Sequence, residues 1–399
     1  MRILTLAPQP FYIVRGTPID LDLVLRVLTS RENTVVDLVV YGQGKDHEYP
    51  NLRTYRTPDT LLTKPSGPGF SLRKLLCDAF LFARAWRLVR RHRYDLIHAG
   101  EETVFMAMFF RRFYGIPYAY DMDSSLAEQM TEKLPWLSVF QRLFNACQRA
   151  AIRRALVSFP VCNSLADLCR ENGSRKTVTL HDISQLAEPR RQSNGNLKRE
   201  LGIDGLVLLY VGNLETYQGI DLLLDGFALA AGRTNGVDLV IVGGSDRDIE
   251  RYRGRATTLG IAGRTHFLGQ QPFDRLDEYL AEADILAAPR IRGRNTPMKV
   301  FPYLHSGRAV LVTDLPTHSQ ILTDEVAMLA EPTPEGFSRA IVALAADDDL
   351  RRRLGERGRA FVEAGHTFPA HRERLDEAYD WIERELHDLN LQSLLIDDA

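Results

Sequence analysis

The chain has 399 residues, more than one hydrophobic core usually supports, so two domains of roughly 150 to 200 residues are expected. An apolar content of 45% with 26% charged residues excludes the disordered and collagen-like classes, and a net charge of −2 without a recognised binding motif argues against a nucleic-acid partner. The four cysteines, Cys77, Cys147, Cys162 and Cys169, make no Cys-x-x-Cys pair and have no His-x-x-x-His partner, which excludes a zinc finger and leaves them as reduced core residues.

MRILTLAP at the start is broken by proline too early for a signal peptide, and no apolar run reaches the roughly 18 residues of a membrane span, so the expected compartment is the cytoplasm. From there, short β-branched or leucine-rich runs alternate with amphipathic helical patterns, the order of strand-helix-strand units with a parallel sheet. Strands are predicted over residues 2–7, 35–41, 96–99, 118–121 and 157–161. Residues 184–201, rich in Pro, Ser, Asn, Gly and charge, read as a linker. The pattern restarts with strands at 206–212, 238–244, 265–269, 284–289 and 309–313, and helices from about 337 to 388 precede an acidic tail at 397–399, where fraying is expected. The predicted division is a first domain over 1–185 and a second over 200–368, with a C-terminal helix near 370–390 packing back on the first.

In open parallel sheets ligands bind beyond the carboxyl ends of the strands, so the loops there carry the candidate chemistry. No Gly-x-Gly-x-x-Gly follows the first strand and no Gly-Lys-Ser/Thr loop occurs, which weighs against dinucleotide oxidoreductases and P-loop nucleotidases. The first strand leads instead into FYIVRGTPID, where Gly16 admits close approach and Thr17-Pro18 opens a helix. Its free N–H groups fit a phosphate, and a plain helix cap fits equally. In GRNTPMKVFPYLHSG, Asn295 or Thr296 reads as an N-cap with Pro297 in the first turn, and Arg290, Arg292, Arg294 and Lys299 suit either a diphosphate or a solvated basic face. Pro302 within that helical pattern predicts a bend.

At the ends of the first-half strands, His98 is followed by Glu101 and Glu102, and Asp121 by Asp123 and Ser124. A carboxylate there can orient a hydroxyl or accept its proton; Asp123 with Ser124 equally reads as a helix cap. Arg73, Lys74, Arg84, Arg87, Arg90, Arg91, Arg93, Arg111 and Arg112 crowd one region, and residues 71–95 alternate apolar and basic positions at helical spacing. That pattern fits an anionic membrane surface, or a helix with one face in the core and its arginines in water.

YVGNLETYQGIDLLLDGFALA, DLVIVGG, HFLG, ADILAAP and TPMKVFPYLHSGRAVLVTD, in this order, together with RGTPI and DLIHAG, resemble glycosyltransferase family 4 (group 1) over nearly the whole chain. The resemblance implies an α/β GT-B fold, two facing Rossmann-like doubly wound domains separated by a cleft. It implies sugar transfer with retention from a nucleotide-sugar donor to an acceptor hydroxyl, without a metal or other cofactor. Gly16, Asn213, Gln218, Arg290, Arg294, Asn295, Thr296 and Lys299 would line the donor pocket, with His98, Glu101 and Asp123 as catalytic candidates on the acceptor side.

Asn213 and Gln218 stand where the family usually has Arg and Lys, Arg294 and Pro302 where it has paired glutamates, Asp123 where many relatives have His, and Gln320 where Glu is frequent. Two expectations therefore compete: an enzyme whose diphosphate charge comes from Arg290, Arg292, Arg294 and Lys299, and a catalytically silent subunit that binds a partner or ligand. The non-hydrolysing sugar epimerases match the second-half motifs less well. A lipid-linked or polysaccharide acceptor at the inner membrane face completes the expectation.

Overall fold

A computed structural model of the chain describes residues 1–13, 16–59, 72–133, 139–186, 195–234 and 236–397. Part of the first loop, residues 187–194 of the predicted linker, Ser71 and the last two tail residues lie outside these. The chain divides into two compact units, Met1–His181 with His371–Ala399, and Asp182–Ala370.

The first unit runs β1 (Arg2–Leu6), α1 (Gly16–Ser30), β2 (Val35–Val40), β3 (Leu52–Arg56), α2 (Leu72–Arg91), β4 (Leu96–Gly100), α3 (Val104–Tyr114), β5 (Tyr118–Met122), α4 (Leu126–Lys133), α5 (Gln141–Arg154), β6 (Val157–Pro160) and α6 (Asn163–Glu171). The second runs α7 (Asn196–Leu201), β7 (Leu206–Val211), α8 (Ile220–Ala231), β8 (Val237–Val242), α9 (Asp246–Thr258), β9 (Thr265–Gly269), α10 (Leu276–Glu282), β10 (Ile285–Ala288), α11 (Val300–His305), β11 (Ala309–Thr313), α12 (Pro316–Ser319), β12 (Met328–Ala330), α13 (Pro334–Ala346) and α14 (Asp348–Gly365); α15 (Phe368–Asp397) returns to the first unit.

Each unit holds one parallel sheet, ordered β3-β2-β1-β4-β5-β6 and β12-β11-β10-β7-β8-β9. The two orders are the same doubly wound arrangement, reversing direction at β1/β4 and at β7/β10. Central strands such as RILTL and ILAA are apolar on both faces because helices cover both, and each buried Leu, Ile or Val there contributes about 1.5–3 kcal/mol. Each sheet has one strand beyond those predicted, β3 and β12. Both are edge strands: β3 is partly exposed and carries two arginines, and β12 is three residues long.

α15 packs on the first unit through His371, Leu375, Ala378, Tyr379 and Ile382, spaced to form one buried helix face. The Arg31 guanidinium, one residue past the end of α1, holds its rim, 2.8 Å from Asp376 and 2.6 Å from Asp380. Lys176 lies over the Trp381 ring.

Candidate functional site

The switch points bring the candidate residues to the strand ends. In the first unit, β1, β4 and β5 lie side by side with Thr5 opposite His98 and Gly100 opposite Asp121. Their carboxyl ends and the start of α1 form a concave mouth lined by Thr5, Gln9, Asp20, His98, Glu101, Asp121 and Asp123. The buried His98 ring stacks near Phe159 and Tyr379. Its Nδ1 is 2.7 Å from the Tyr379 hydroxyl and its Nε2 is 3.2 Å from Asp121 Oδ2. A proton on Nε2 lets the ring donate to Asp121 while Nδ1 accepts from the tyrosine.

Glu101 takes a left-handed backbone, φ 48°, a conformation costly to a side-chain-bearing residue. Ser124 Oγ lies 2.8 and 3.0 Å from its two carboxylate oxygens. Burial first, then the nearby Asp121 charge, push the Glu101 carboxyl up to about 7, against the opposing pull of Ser124 and Lys74. Glu102 lies outside this mouth, paired with Lys74 of α2. The buried His371 on α15 is driven down to about 4, mainly by desolvation.

In the second unit the loops after β7 and β10 interlock. Gly219 has φ 75°, and a Cβ there would sit 1.9 Å from Pro289 O, so only glycine allows this approach; Ile291 N donates to Tyr217 O beside it. Lys299 Nζ lies 2.9 Å from Tyr210 Oη and 3.2 Å from Gln218 Oε1, both neutral, and 4.0 Å from the Tyr210 ring centre. A Cβ at Gly212 would come 2.4 Å from that ammonium, so the glycine is what admits it. Burial, then the charge of Arg290, push Lys299 down to about 7. Arg290 donates to Arg292 O and Asn295 Oδ1 and lies over the Tyr217 ring.

Thr296 is buried with its hydroxyl unpartnered, as is Nε2 of His318, whose Nδ1 lies 2.9 Å from Thr313 Oγ1 and 3.1 Å from Thr313 O. Desolvation, with Arg290 and Lys299 adding to it, drives His318 down to about 3.

The expected N-cap at Asn295 or Thr296 is not formed. Asn295 accepts from Arg290, and α11 begins only at Val300 after a turn closed by Val300 N to Pro297 O. Pro302 therefore falls in the first turn of α11, where its missing N–H would have had no intrahelical partner, and the reason to expect a bend disappears. Gly16 opens α1 with open space where a side chain would stand. The Asn213 side chain accepts from Glu215 N and so folds its own turn. Arg294 is exposed, with its carbonyl accepting from Gln320. Lys299 and Gln218 come together, as do His98, Glu101 and Asp123.

Tyr210, Thr5 and Tyr379 join these sites without having been singled out as site residues. Tyr379 is 281 positions from His98, a separation no motif spacing reveals.

Two doubly wound parallel units with candidate residues at both switch points define the GT-B class. The same fold is seen in sucrose-phosphate synthase from Thermosynechococcus elongatus, with a TM-score of 0.78 at 19% identity over 96% of this chain and 99% of that one. It is seen also in Anabaena HepE crystallised with UDP, with a TM-score of 0.75 at 16% identity over 95% of this chain and all of that one. The family model for glycosyl transferases group 1 matches residues 194–361, and that for the glycosyl transferase 4-like domain matches 26–181. The chain belongs to the group 1 glycosyltransferases.

Among curated relatives, a phosphatidyl-myo-inositol mannosyltransferase of Mycobacterium tuberculosis is 30% identical over 40% of this chain and 43% of its own length. The lipopolysaccharide core biosynthesis glycosyltransferase LpsE of Rhizobium meliloti is 30% identical over 40% and 46%. The chain spans less than half the length of these relatives.

Proposed function

We propose that this protein transfers a sugar, with retention, from a nucleotide-sugar donor to an acceptor hydroxyl. The second unit would hold the donor and the mouth of the first unit the acceptor. The observation that carries this reading is the Lys299 ammonium, lodged against Gly212 at the β7/β10 switch point with, among the described residues, only the neutral Tyr210 and Gln218 as hydrogen-bonding partners. An uncompensated cation there, with Arg290 beside it, is short of an anion, and a nucleoside diphosphate supplies one. The UDP complex of Anabaena HepE, of the same fold, supports that choice of ligand.

Gln218, Arg290, Thr296 and Lys299 would contact the donor directly, and Asn213, Arg294 and Asn295 would shape its pocket. On the acceptor side His98 would fix Asp121, Glu101 would engage the acceptor hydroxyl and Asp123 would flank it. No step of this scheme calls on a metal or other cofactor.

The acceptor would be carried on a lipid or polysaccharide, as in the lipopolysaccharide and phosphatidyl-inositol pathways of the relatives, with the enzyme cytoplasmic and peripheral at an anionic membrane face. α2 supports this. It buries Cys77, Leu81, Ala85 and Leu88 on one face and exposes Leu75, Phe80 and Trp86 on the other, beside Arg87 and Arg90. Phe82, Trp86, Phe109 and Phe113 continue the surface as linked rings, with Phe113 exposed and Arg112 over it. Among the described residues no helix is long and apolar enough to cross a membrane.

Thermal shift against nucleoside diphosphates at millimolar concentration tests the donor site. Stabilisation that is lost in Lys299→Ala and Arg290→Ala supports it, and the absence of any stabilisation overturns it. Nucleotide-sugar turnover by mass spectrometry then tests transfer.

A further inference from the structure

We infer that Tyr210 is a positioning residue for the donor: its ring and hydroxyl hold the Lys299 ammonium, and with it the turn after β7, in place for a diphosphate. This rests on the donor reading above and adds a residue to it. Tyr210 is fully buried near the end of β7. Its hydroxyl donates to Asn213 O at 2.6 Å and accepts from Lys299 Nζ at 2.9 Å. The ammonium also lies 4.0 Å from the centre of the same ring, within cation–π range. One side chain thus ties the turn at Asn213 to the lysine that precedes α11.

Tyr303 of α11 holds the strand end beside it. Its hydroxyl accepts from Val211 N at 2.7 Å and donates to Val211 O at 3.1 Å. With Val211 fixed by one tyrosine and Asn213 by the other, Gly212 between them keeps the backbone, φ 149°, that leaves room for the ammonium.

Charge makes the Tyr210 hydroxyl matter. Lys299 is faced by the like charge of Arg290 after β10, by the neutral His318 of α12, and by Gln218 and Tyr210. Burial holds the Tyr210 phenol well above its ordinary range, so it offers the lysine a lone pair and no negative charge. A hydrogen bond to an ionised group is stronger than one between neutral groups, so the hydroxyl favours the ammonium over the free amine. Since Lys299 is already pushed down to about 7, losing that acceptor removes charge from the pocket at neutral pH.

Tyr210→Phe keeps the ring and removes the hydroxyl. Calorimetric titration of the full chain with UDP, GDP and ADP from pH 5.5 to 8.5, with circular dichroism to confirm folding, is the test. The variant is expected to bind the preferred diphosphate about tenfold more weakly at pH 8 and less than about twofold more weakly at pH 5.5, where the lysine is charged in both proteins. A loss equal at every pH marks a merely structural role, and equal affinities at pH 8 show an idle hydroxyl; either overturns the inference. Heteronuclear NMR of the lysine-labelled, unliganded proteins, with Lys299→Met for assignment, gives a second readout. The Lys299 midpoint should lie about one pH unit lower in Tyr210→Phe, and equal midpoints overturn the inference. If no diphosphate binds the parent, the donor reading falls while the midpoints still decide the tyrosine–lysine pair. If a diphosphate binds and the midpoints agree, the donor reading stands and the positioning role falls.

Discussion

Replacing Lys299 by methionine should stabilise the unliganded protein near neutral pH while abolishing its response to nucleoside diphosphates. In the folded chain the ammonium is pushed from 10.5 down to about 7. The folded state therefore holds fewer protons than the unfolded one between those values. The cost of the buried lysine is full below about pH 7 and is relieved as pH rises toward 10.5.

At 1.36 kcal/mol per pK unit the unscreened cost is about 4–5 kcal/mol. The side chain is partly accessible, which discounts that figure, and methionine forfeits the hydrogen bonds to Tyr210 and Gln218, about 1 kcal/mol each. A net gain of roughly 1–2 kcal/mol remains at pH 7, which for a unit of this size is a rise in Tm of about 2–8 °C. As pH rises toward 10.5 the lysine's cost shrinks below that of the lost hydrogen bonds, so the sign reverses before pH 10. Thermal unfolding of both proteins from pH 6.5 to 10 measures this. A Lys299→Met protein less stable than the parent at pH 7, or a difference that does not change with pH, would refute the assignment of an uncompensated lysine.

Glu101→Gln should flatten one component of the pH profile. Its carboxyl, raised from 4.5 to about 7, contributes stability at acid pH that is lost as pH climbs through that window, on the order of 1–3 kcal/mol after discounting partial exposure. The neutral half-buried His181 and buried His371, both near 4, change stability the opposite way between pH 4 and 6.5, so the quantity to measure is the urea midpoint difference between variant and parent. Arg31→Ala removes the guanidinium that joins α1 to Asp376 and Asp380 and should cost about 2 kcal/mol, read as earlier proteolysis within α15 at unchanged circular dichroism. Gly219→Ala drives a Cβ into the Pro289 carbonyl at φ 75° and should cost about 2 kcal/mol or more, together with nucleotide binding.

The parallel strands were legible because a strand buried on both faces reads as an unbroken apolar run, as in LVLLYV and DLVIV. β3 escaped because an edge strand needs no such run: LRTYR alternates and carries two arginines. The switch-point loops were legible for the same reason as the strands that feed them, and they bring His98, Glu101, Gln218 and Lys299 to two sites. The start of α11 was misplaced because Asn-Thr-Pro has cap chemistry, yet Arg290 takes the Asn295 oxygen that the helix would have used. Tyr379 and Arg31 could not be joined to their partners by reading, since the contacts span 281 and 345 positions and depend on α15 returning to the first sheet.

The departures from the family pattern gain a physical reading from the Lys299 geometry. The resemblance implies a cation at position 218, and this chain has glutamine there, with its carbonyl oxygen 3.2 Å from the lysine. A cation at 218 would face that ammonium at about 4 Å, a repulsion of roughly 4 kcal/mol at an effective dielectric constant of 20. On the donor reading proposed above, Gln218 and Lys299 would be a matched pair: the positive charge would have moved across the pocket, and the neutral amide would be what the move requires. A double-mutant cycle tests this. Gln218→Lys alone should destabilise the protein by about 2–4 kcal/mol and weaken diphosphate binding, whereas Gln218→Lys combined with Lys299→Met should recover most of both losses. Additive losses would show that the two positions are independent, and that the glutamine marks a lost cation and not a relocated one.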